Sequence, residues 1–440
     1  MSMKRVFENR LEEWKKSGMK KPLMVLGVRQ IGKTYTIENF CKESFQEYYY
    51  FNLEKEKNIY DIFEHTIDEA EIIKNIELCV GKKIDIENTI FFFDEVQVSE
   101  KFITSLKYFC ESPKNYKIVC AGSLLGVKIN RFESSFPVGK VKMEYMYPMS
   151  FEEFLLALGK ELLIEEIEES YREMKPMPDF AHEEAIKLYR QYLCVGGMPE
   201  AVQNFVNEQN DILSFDQSIL SNIVKMYIAD MNKYTISNIE SVKIEKIYKN
   251  VPIQLAKENK KFKYSVLEES ANKRKYQSAI DWLVAGNMVL PCYDIVKPDI
   301  PLKVFMDENT FKLYLSDVGL LVNMSELKLA DIILDNDFLF KGAITENYIA
   351  QEFTAKGVSL YYWKNDRSAE LDYMVYNDGA VIPVEVKSSK NNTSKSLQYY
   401  VSKYKPKYSI RISTKNFGFE NNIKSIPLYA VFCLARELKE

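Results

Sequence analysis

The chain has 440 residues, 46% of them hydrophobic and 13% aromatic, with a formal net charge of −4. A single core stops growing near roughly 250–300 residues, so two or three domains are expected, and the apolar content excludes a disordered chain. Seven scattered cysteines with no CxxC pair, and only two histidines, exclude a zinc-finger framework and read as reduced thiols in a cytoplasm.

Charge is distributed unevenly. Lys and Arg outnumber the acids in 241–300 and again in 341–440, so the remainder is acidic. A mildly basic C-terminal half permits nucleic-acid contact without requiring it, because clustering on one face is what matters. The opening MSMKRVFENRLEEWKK reads as a charged amphipathic helix without the apolar core of a signal peptide. No window reaches the roughly 18–20 apolar residues of a membrane span. The expectation is a soluble, cytoplasmic protein with no membrane partner; nothing names its oligomeric state.

Residues 22–27 (PLMVLG) read as a short buried strand running into a glycine-bearing loop, with a helix beginning at 34–40. Further apolar strands are expected at 48–52, 89–93 and 117–120, separated by helical patterns at 58–79 and 101–111. Uniformly apolar strands alternating with helices imply a parallel sheet covered on both faces, filling 1–150. Residues 151–235 read as helices, as at 151–158 and 183–193, broken at 176–178 and 196–199. In 236–330 a helix, a glycine turn and a strand at 279–294 suit a small winged-helix module. Residues 331–440 return to α/β, with a helix at 345–354 and strands at 359–363, 370–376 and 381–386.

The sharpest motif is Gly27-Val28-Arg29-Gln30-Ile31-Gly32-Lys33-Thr34, a complete GxxxxGK[ST] followed by Tyr35. Its glycines let the loop curl so that N–H groups face phosphate oxygens, at the positive end of the following helix. Lys33 would reach the β- and γ-phosphates and the Thr34 hydroxyl would ligate Mg²⁺. The strand Thr89-Ile-Phe-Phe-Phe ends abruptly in Asp94-Glu95. Asp94 would hold Mg²⁺ and Glu95 would polarise the attacking water. Ser123, at the end of the next strand, either contacts the γ-phosphate or water, or caps a helix. ATP and Mg²⁺ are the expected cofactors. Cys120, with no histidine near it in sequence, reads as a buried inert thiol.

Together these residues resemble the AAA+ ATPases, and in particular a prokaryotic family in which an N-terminal AAA+ domain precedes a C-terminal domain of unknown function. The resemblance runs through GVRQIGKT (27–34), FFFDE (91–95), AGSLL (121–125), YPMSFEEFL (147–155), YLCVGGMPEAV (192–202), FKLYLSDVGLL (311–321) and the segment 342–389. The middle motifs carry no chemistry derivable from residue type. The resemblance implies a helical lid, a winged helix and a restriction-endonuclease-like C-terminal α/β domain. Family members carry Gly-Arg shortly before the aromatic-Pro-x-Ser-Phe stretch; here the pair is Gly139-Lys140, which keeps the charge but not the planar fork. Arg131 is a nearby substitute, or else an exposed arginine on a helix surface.

In the last domain Glu346, Asp372, Glu385 and Lys387 form an E…D…ExK series that resembles a nuclease metal site, with Gln398 as a supporting residue. Period two puts Glu385 and Lys387 on one strand face; charged residues alternating with Val also describe any half-exposed strand. Trp282 reads as core before recognition element. The runs at 260–263 and 273–275 read as solvated surface or phosphate contacts. Tyr48–Tyr50 read as sheet packing. The functional expectation is an Mg²⁺-dependent ATPase whose C-terminal half responds to nucleotide by binding DNA or a protein partner. Its rivals are a switch with negligible turnover and an ATP-dependent nuclease.

Overall fold

The computed structural model describes residues 3–123, 136–233, 235, 237–365, 369–388 and 395–439. The chain divides into two compact units, Met1–Tyr147 with Ala285–Asn287, and Pro148–Val284 with Met288–Glu440.

The first unit is built on five parallel strands: β1 (Leu23–Gly27), β2 (Glu47–Asn52), β3 (Thr89–Asp94), β4 (Lys117–Ser123) and β5 (Lys142–Tyr145). They lie in the order β2-β3-β4-β1-β5. β1 and β3 are buried at every position, as their unbroken apolar sequences demand when helices cover both sheet faces. The core under β2, β3 and β4 is aromatic. Phe63 meets Phe93 and Phe102 edge-on at 5.5 and 4.8 Å, a preferred ring geometry. The expected helix at 58–79 is two helices, Lys57–His65 and Glu69–Val80. Asp68 breaks the run by capping the second, accepting from the Glu71 N–H at 2.9 Å.

The second unit begins with the helix Phe151–Ala157, opened by a full capping box between Ser150 and Glu153. Helices Glu161–Glu173, Asp179–Val195, Pro199–Asn207, Ser218–Lys233 and Asn238–Leu255 follow, with the expected breaks at 176–178 and 196–199. Strands β6 (Val289–Ile295), β7 (Met306–Leu315), β8 (Tyr361–Lys364) and β9 (Glu370–Leu371) form one sheet in the order β7-β6-β8-β9. Strands β10 (Tyr373–Asn377), β11 (Ala380–Val386), β12 (Ser409–Ser413), β13 (Gly418–Glu420) and β14 (Ile423–Pro427) form another, β10-β11-β12-β14-β13. The expected single strand 370–376 is therefore two strands in different sheets, with Asp372 at the break. β8 pairs with β6, so main-chain pairing bridges residue 330.

The motifs without evident chemistry meet in one buried polar knot around the helix Lys341–Ala355. The Gly197 N–H donates to Asp317 Oδ2 at 2.6 Å, and the Gly197 carbonyl accepts from the Met149 N–H at 2.7 Å. Tyr192 donates to the Met149 carbonyl, and Gln351 donates to the Tyr192 hydroxyl at 2.6 Å. Asn347 exchanges two hydrogen bonds with the Leu315 main chain, and Glu352 accepts from the Phe151 N–H at 2.8 Å. Burial pushes the Asp317 carboxyl up to about 6 against three backbone N–H donors, and pushes Glu352 up to about 8. These side chains take main-chain groups of Met149, Phe151, Gly197 and Leu315 that burial would otherwise leave unsatisfied. Among the described residues no helix is long and apolar enough to cross a membrane, and all seven cysteines are free.

Candidate functional site

The nucleotide motif lies where β1 delivers it. Gly27 ends the strand at φ 145°, and a Cβ there would lie 2.2 Å from the Met146 carbonyl and 2.6 Å from Ile31 Cδ1. Gly32, at φ 85°, turns the chain into the helix Lys33–Ser44 as its N-cap. Both positions therefore need glycine. Val28 and Ile31 are buried under the loop, while Gln30 and Tyr35 are exposed and Arg29 is half-buried.

Lys33 is buried beneath this loop. Its ammonium donates to the carbonyls of Gly27 and Val28 at 3.0 and 2.7 Å and to Ser123 Oγ at 3.2 Å. Burial lowers its pKa to about 8, with the nearby Glu95 and Asp94 opposing the shift and Arg29 assisting it. Thr34 Oγ1 donates to Asp94 Oδ2 at 2.7 Å. Asp94 is buried at the end of β3, and its other oxygen accepts from the Glu95 N–H at 2.9 Å. Glu95 follows in the left-handed region at φ 54° and accepts from the side-chain amide of the buried Gln97. The structure thus brings two hydrogen-bonded pairs, Lys33 with Ser123 and Thr34 with Asp94, to the carboxyl ends of β1, β3 and β4, with the charges of Asp94 and Glu95 acting on Lys33. The hard oxygens of Thr34 and Asp94, converging on each other, suit a magnesium ion.

Two further residues reach the site, and their sequence context does not mark them. Tyr50, expected only to pack, lies beside Phe92 and also donates to Asp94 Oδ2 at 3.3 Å. Arg5 sends its guanidinium to the carbonyls of Ile31 and Tyr147. Lys140 is half-buried and pairs with Glu111 at 2.8 Å. Arg131 lies outside the described residues. Cys120 is fully buried, and burial raises its thiol pKa.

A lysine lowered to about 8 gives this site a pH limit. Bound phosphate favours the ammonium, so above that pH binding must take up a proton. ATP affinity is expected to be level below pH 8 and to fall about tenfold per pH unit above it. Calorimetric titration between pH 7 and 9.5 checks this, and an affinity that holds level to pH 9.5 contradicts it.

The C-terminal acids are arranged differently from a shared metal cage. Glu346 is buried on the helix Lys341–Ala355 and is engaged by the Lys260 ammonium, by Lys312 at 3.4 Å and by the Tyr314 hydroxyl at 2.9 Å. Burial pushes its carboxyl up, but the two lysines outweigh this and hold it well below the usual range. Lys312, fully buried, also pairs with Glu370 at 2.8 Å. Asp372 accepts from the Val386 N–H at 2.8 Å; burial, and then the charge of Glu346, raise its pKa. Glu385 pairs instead with Lys387 at 3.1 Å and lies 3.8 Å from Arg411, its neighbour across β11 and β12. Glu346 and Asp372 thus share one electrostatic environment with Lys260 and Lys312, while Glu385 and Lys387 form a pair. Gln398 is exposed on the helix Lys395–Tyr404. Among the described residues no group of three His, Cys, Asp or Glu side chains is placed to hold a metal ion. Trp282 is buried. Lys260 and Lys275 of the basic runs pair with Glu346 and Glu268.

A parallel sheet with a glycine loop before a helix, a buried lysine under the loop and an acid pair at the end of β3, one strand removed from β1, define a P-loop ATPase domain. Comparison with known proteins gives the same class and its type. Residues 19–155 match the model of an AAA domain, 186–331 a domain of unknown function (DUF8612) and 341–431 another (DUF4143). No curated protein matches the chain. Among solved structures it is similar to a Walker-type ATPase of Pyrococcus abyssi, at 13% identity and TM-score 0.44 over 73% of this chain and 96% of that one. It is also similar to the ORC2 protein of Aeropyrum pernix in ADPNP–ADP complexes, at 14% identity and TM-score 0.35 over 78% and 94%. The first unit is an AAA-type ATPase domain that binds and hydrolyses ATP.

Proposed function

We propose that the chain is an Mg²⁺-dependent ATPase whose nucleotide state controls binding of DNA, or of a protein partner, by its C-terminal half. The reading rests on one observation: Lys33, buried beneath the glycine loop, bonds Ser123 while Thr34 bonds Asp94, so that an ammonium, two hydroxyls and a carboxylate converge at one end of the parallel sheet. Thr34 and Asp94 would hold the magnesium ion, which supplies charge neutralisation for the phosphates. Lys33 leaves the loop carbonyls for the β- and γ-phosphate oxygens. Ser123 contacts the γ-phosphate, and Glu95 takes the proton of the attacking water as the bond from the γ-phosphorus to the ADP oxygen breaks.

Four segments carry this function: the ATPase domain at 1–150, a helical lid at 151–235, a winged-helix module at 236–330 and a restriction-endonuclease-like domain at 331–440. A binding role for the last is favoured over cleavage by a specific observation. The oxygens of Glu346 are already engaged by Lys260, Lys312 and Tyr314, which leaves little of that carboxylate for a metal ion. The cytoplasm is the compartment that fits free, mostly buried thiols.

Steady-state ATP hydrolysis by the purified chain, with and without duplex or single-stranded DNA, tests the coupling. A severalfold rise in turnover that weakens with added salt is expected. Turnover unmoved by either nucleic acid at low salt contradicts the DNA reading and leaves the protein partner.

A further inference from the structure

We infer that Arg5, outside the span matched to the AAA domain, is the positioning residue that holds the nucleotide loop open to phosphate. The inference rests on the ATPase reading and extends it to a residue that no motif contains.

The geometry starts with the helix Phe7–Lys16. Phe7, Leu11 and Trp14 are buried, and the Trp14 indole donates to the Lys21 carbonyl at 2.8 Å, tying the far end of the helix to the segment that enters β1. At its near end the Arg5 N–H donates to Glu8 Oε1 at 3.2 Å, which fixes the Arg5 main chain. The Arg5 side chain is 5% exposed. Its Nη1 donates to the Ile31 carbonyl at 2.5 Å and its Nη2 to the Tyr147 carbonyl at 2.7 Å. One planar fork thereby spans the nucleotide loop and the chain just beyond β5, a geometry that a lysine cannot reproduce.

The consequence for the loop follows from peptide planarity. In a trans peptide the C=O and the N–H of the next residue point in opposite directions. A guanidinium that fixes the Ile31 carbonyl on one side directs the Gly32 N–H to the other, and Gly32 is the N-cap of the helix that must present N–H groups to phosphate. Rotation of this peptide would be easy without that anchor, because Gly32 carries no Cβ and sits at φ 85°. Ile31 is wholly buried with its Cδ1 against Gly27, so the side chain is held by packing and the peptide by Arg5.

The test compares Arg5→Met and Arg5→Lys with the wild-type full chain. It measures thermal unfolding, ATP and tripolyphosphate affinity by titration, and kcat and KM for ATP hydrolysis. The expected result is a folded Arg5→Met protein in which ATP and tripolyphosphate both bind about ten- to a hundredfold more weakly, the scale of one lost charged hydrogen bond. KM rises with them while kcat falls less, and Arg5→Lys recovers only part of the loss. If Arg5→Met does not fold, the Arg5→Lys protein carries the test by the same rise in KM and in tripolyphosphate dissociation. A folded variant with lowered melting temperature but unchanged phosphate affinity and KM overturns the inference and leaves Arg5 a purely structural residue. A wild-type chain that neither binds nor hydrolyses ATP overturns the ATPase reading itself, and is told apart by that control.

Discussion

The Glu95→Gln protein is expected to bind ATP within about twofold of the wild type and to turn it over about a hundred- to ten-thousandfold more slowly, the usual contribution of a positioned general base. The expectation follows from where the side chain stands. β3 is buried at every position from Thr89 to Asp94, so the strand end is rigid. Glu95 leaves it in the left-handed region, with its carboxylate on the amide of Gln97. Glutamine fills the same volume and cannot accept the water's proton. Binding depends instead on Lys33, the loop N–H groups and the Thr34–Asp94 pair, all of which the substitution leaves in place, although it removes one of the charges that favour the Lys33 ammonium. Equilibrium titration beside a phosphate-release assay separates the two effects. Undiminished turnover would move the base role elsewhere; lost binding would mean that Glu95 holds the nucleotide or the loop.

The second large effect concerns folding of the C-terminal unit. A Cβ on Gly197 would stand 2.1 Å from the Met149 carbonyl oxygen and 2.8 Å from its nitrogen. These are main-chain atoms that no rotamer change can move. The same residue donates to Asp317 and accepts from Met149, so yielding here also breaks buried hydrogen bonds. Gly197→Ala is expected to cost about 3 kcal/mol or more in the unfolding of this unit. Gly357→Ala is the control. It lies in the same unit at φ 87° with nothing within 4 Å of its added methyl, and should cost only about 1–2 kcal/mol from backbone strain. Denaturant unfolding followed by probes in each unit reads both, since two units need not unfold as one transition. Equal, small losses for the two variants would contradict the close approach of Gly197 to Met149.

The parts of the molecule legible in the sequence are those whose chemistry is local. The nucleotide loop and the Asp94–Glu95 strand end each lie within eight consecutive residues, and their fixed letters follow from phosphate and metal geometry. Arg5 was not legible because its partner Ile31 is 26 residues away, and one arginine in a charged amphipathic helix carries no signal. Tyr50 read as packing because the run Tyr48–Tyr50 shows its β-propensity and not the acid across the next strand. The motifs around Ser150, Gly197 and Asp317 showed specificity without chemistry, since their function is to satisfy one another's buried main chain across up to 120 residues. Asp372 marks the same limit. The strand-like sequence runs on through 370–376, and only the tertiary structure shows that the strand changes sheets there. The lysines that neutralise Glu346 come from 86 and 34 residues before it, so the acid series alone suggested a metal site more strongly than its surroundings support.

The most direct test of the central claim is the release of phosphate from ATP by the purified full chain with magnesium, alongside the Lys33→Ala protein. The account predicts steady turnover that disappears when magnesium is chelated and falls to background in Lys33→Ala, with both proteins equally folded. Turnover that persists undiminished in folded Lys33→Ala, or a wild-type chain that releases no phosphate at all, would contradict it.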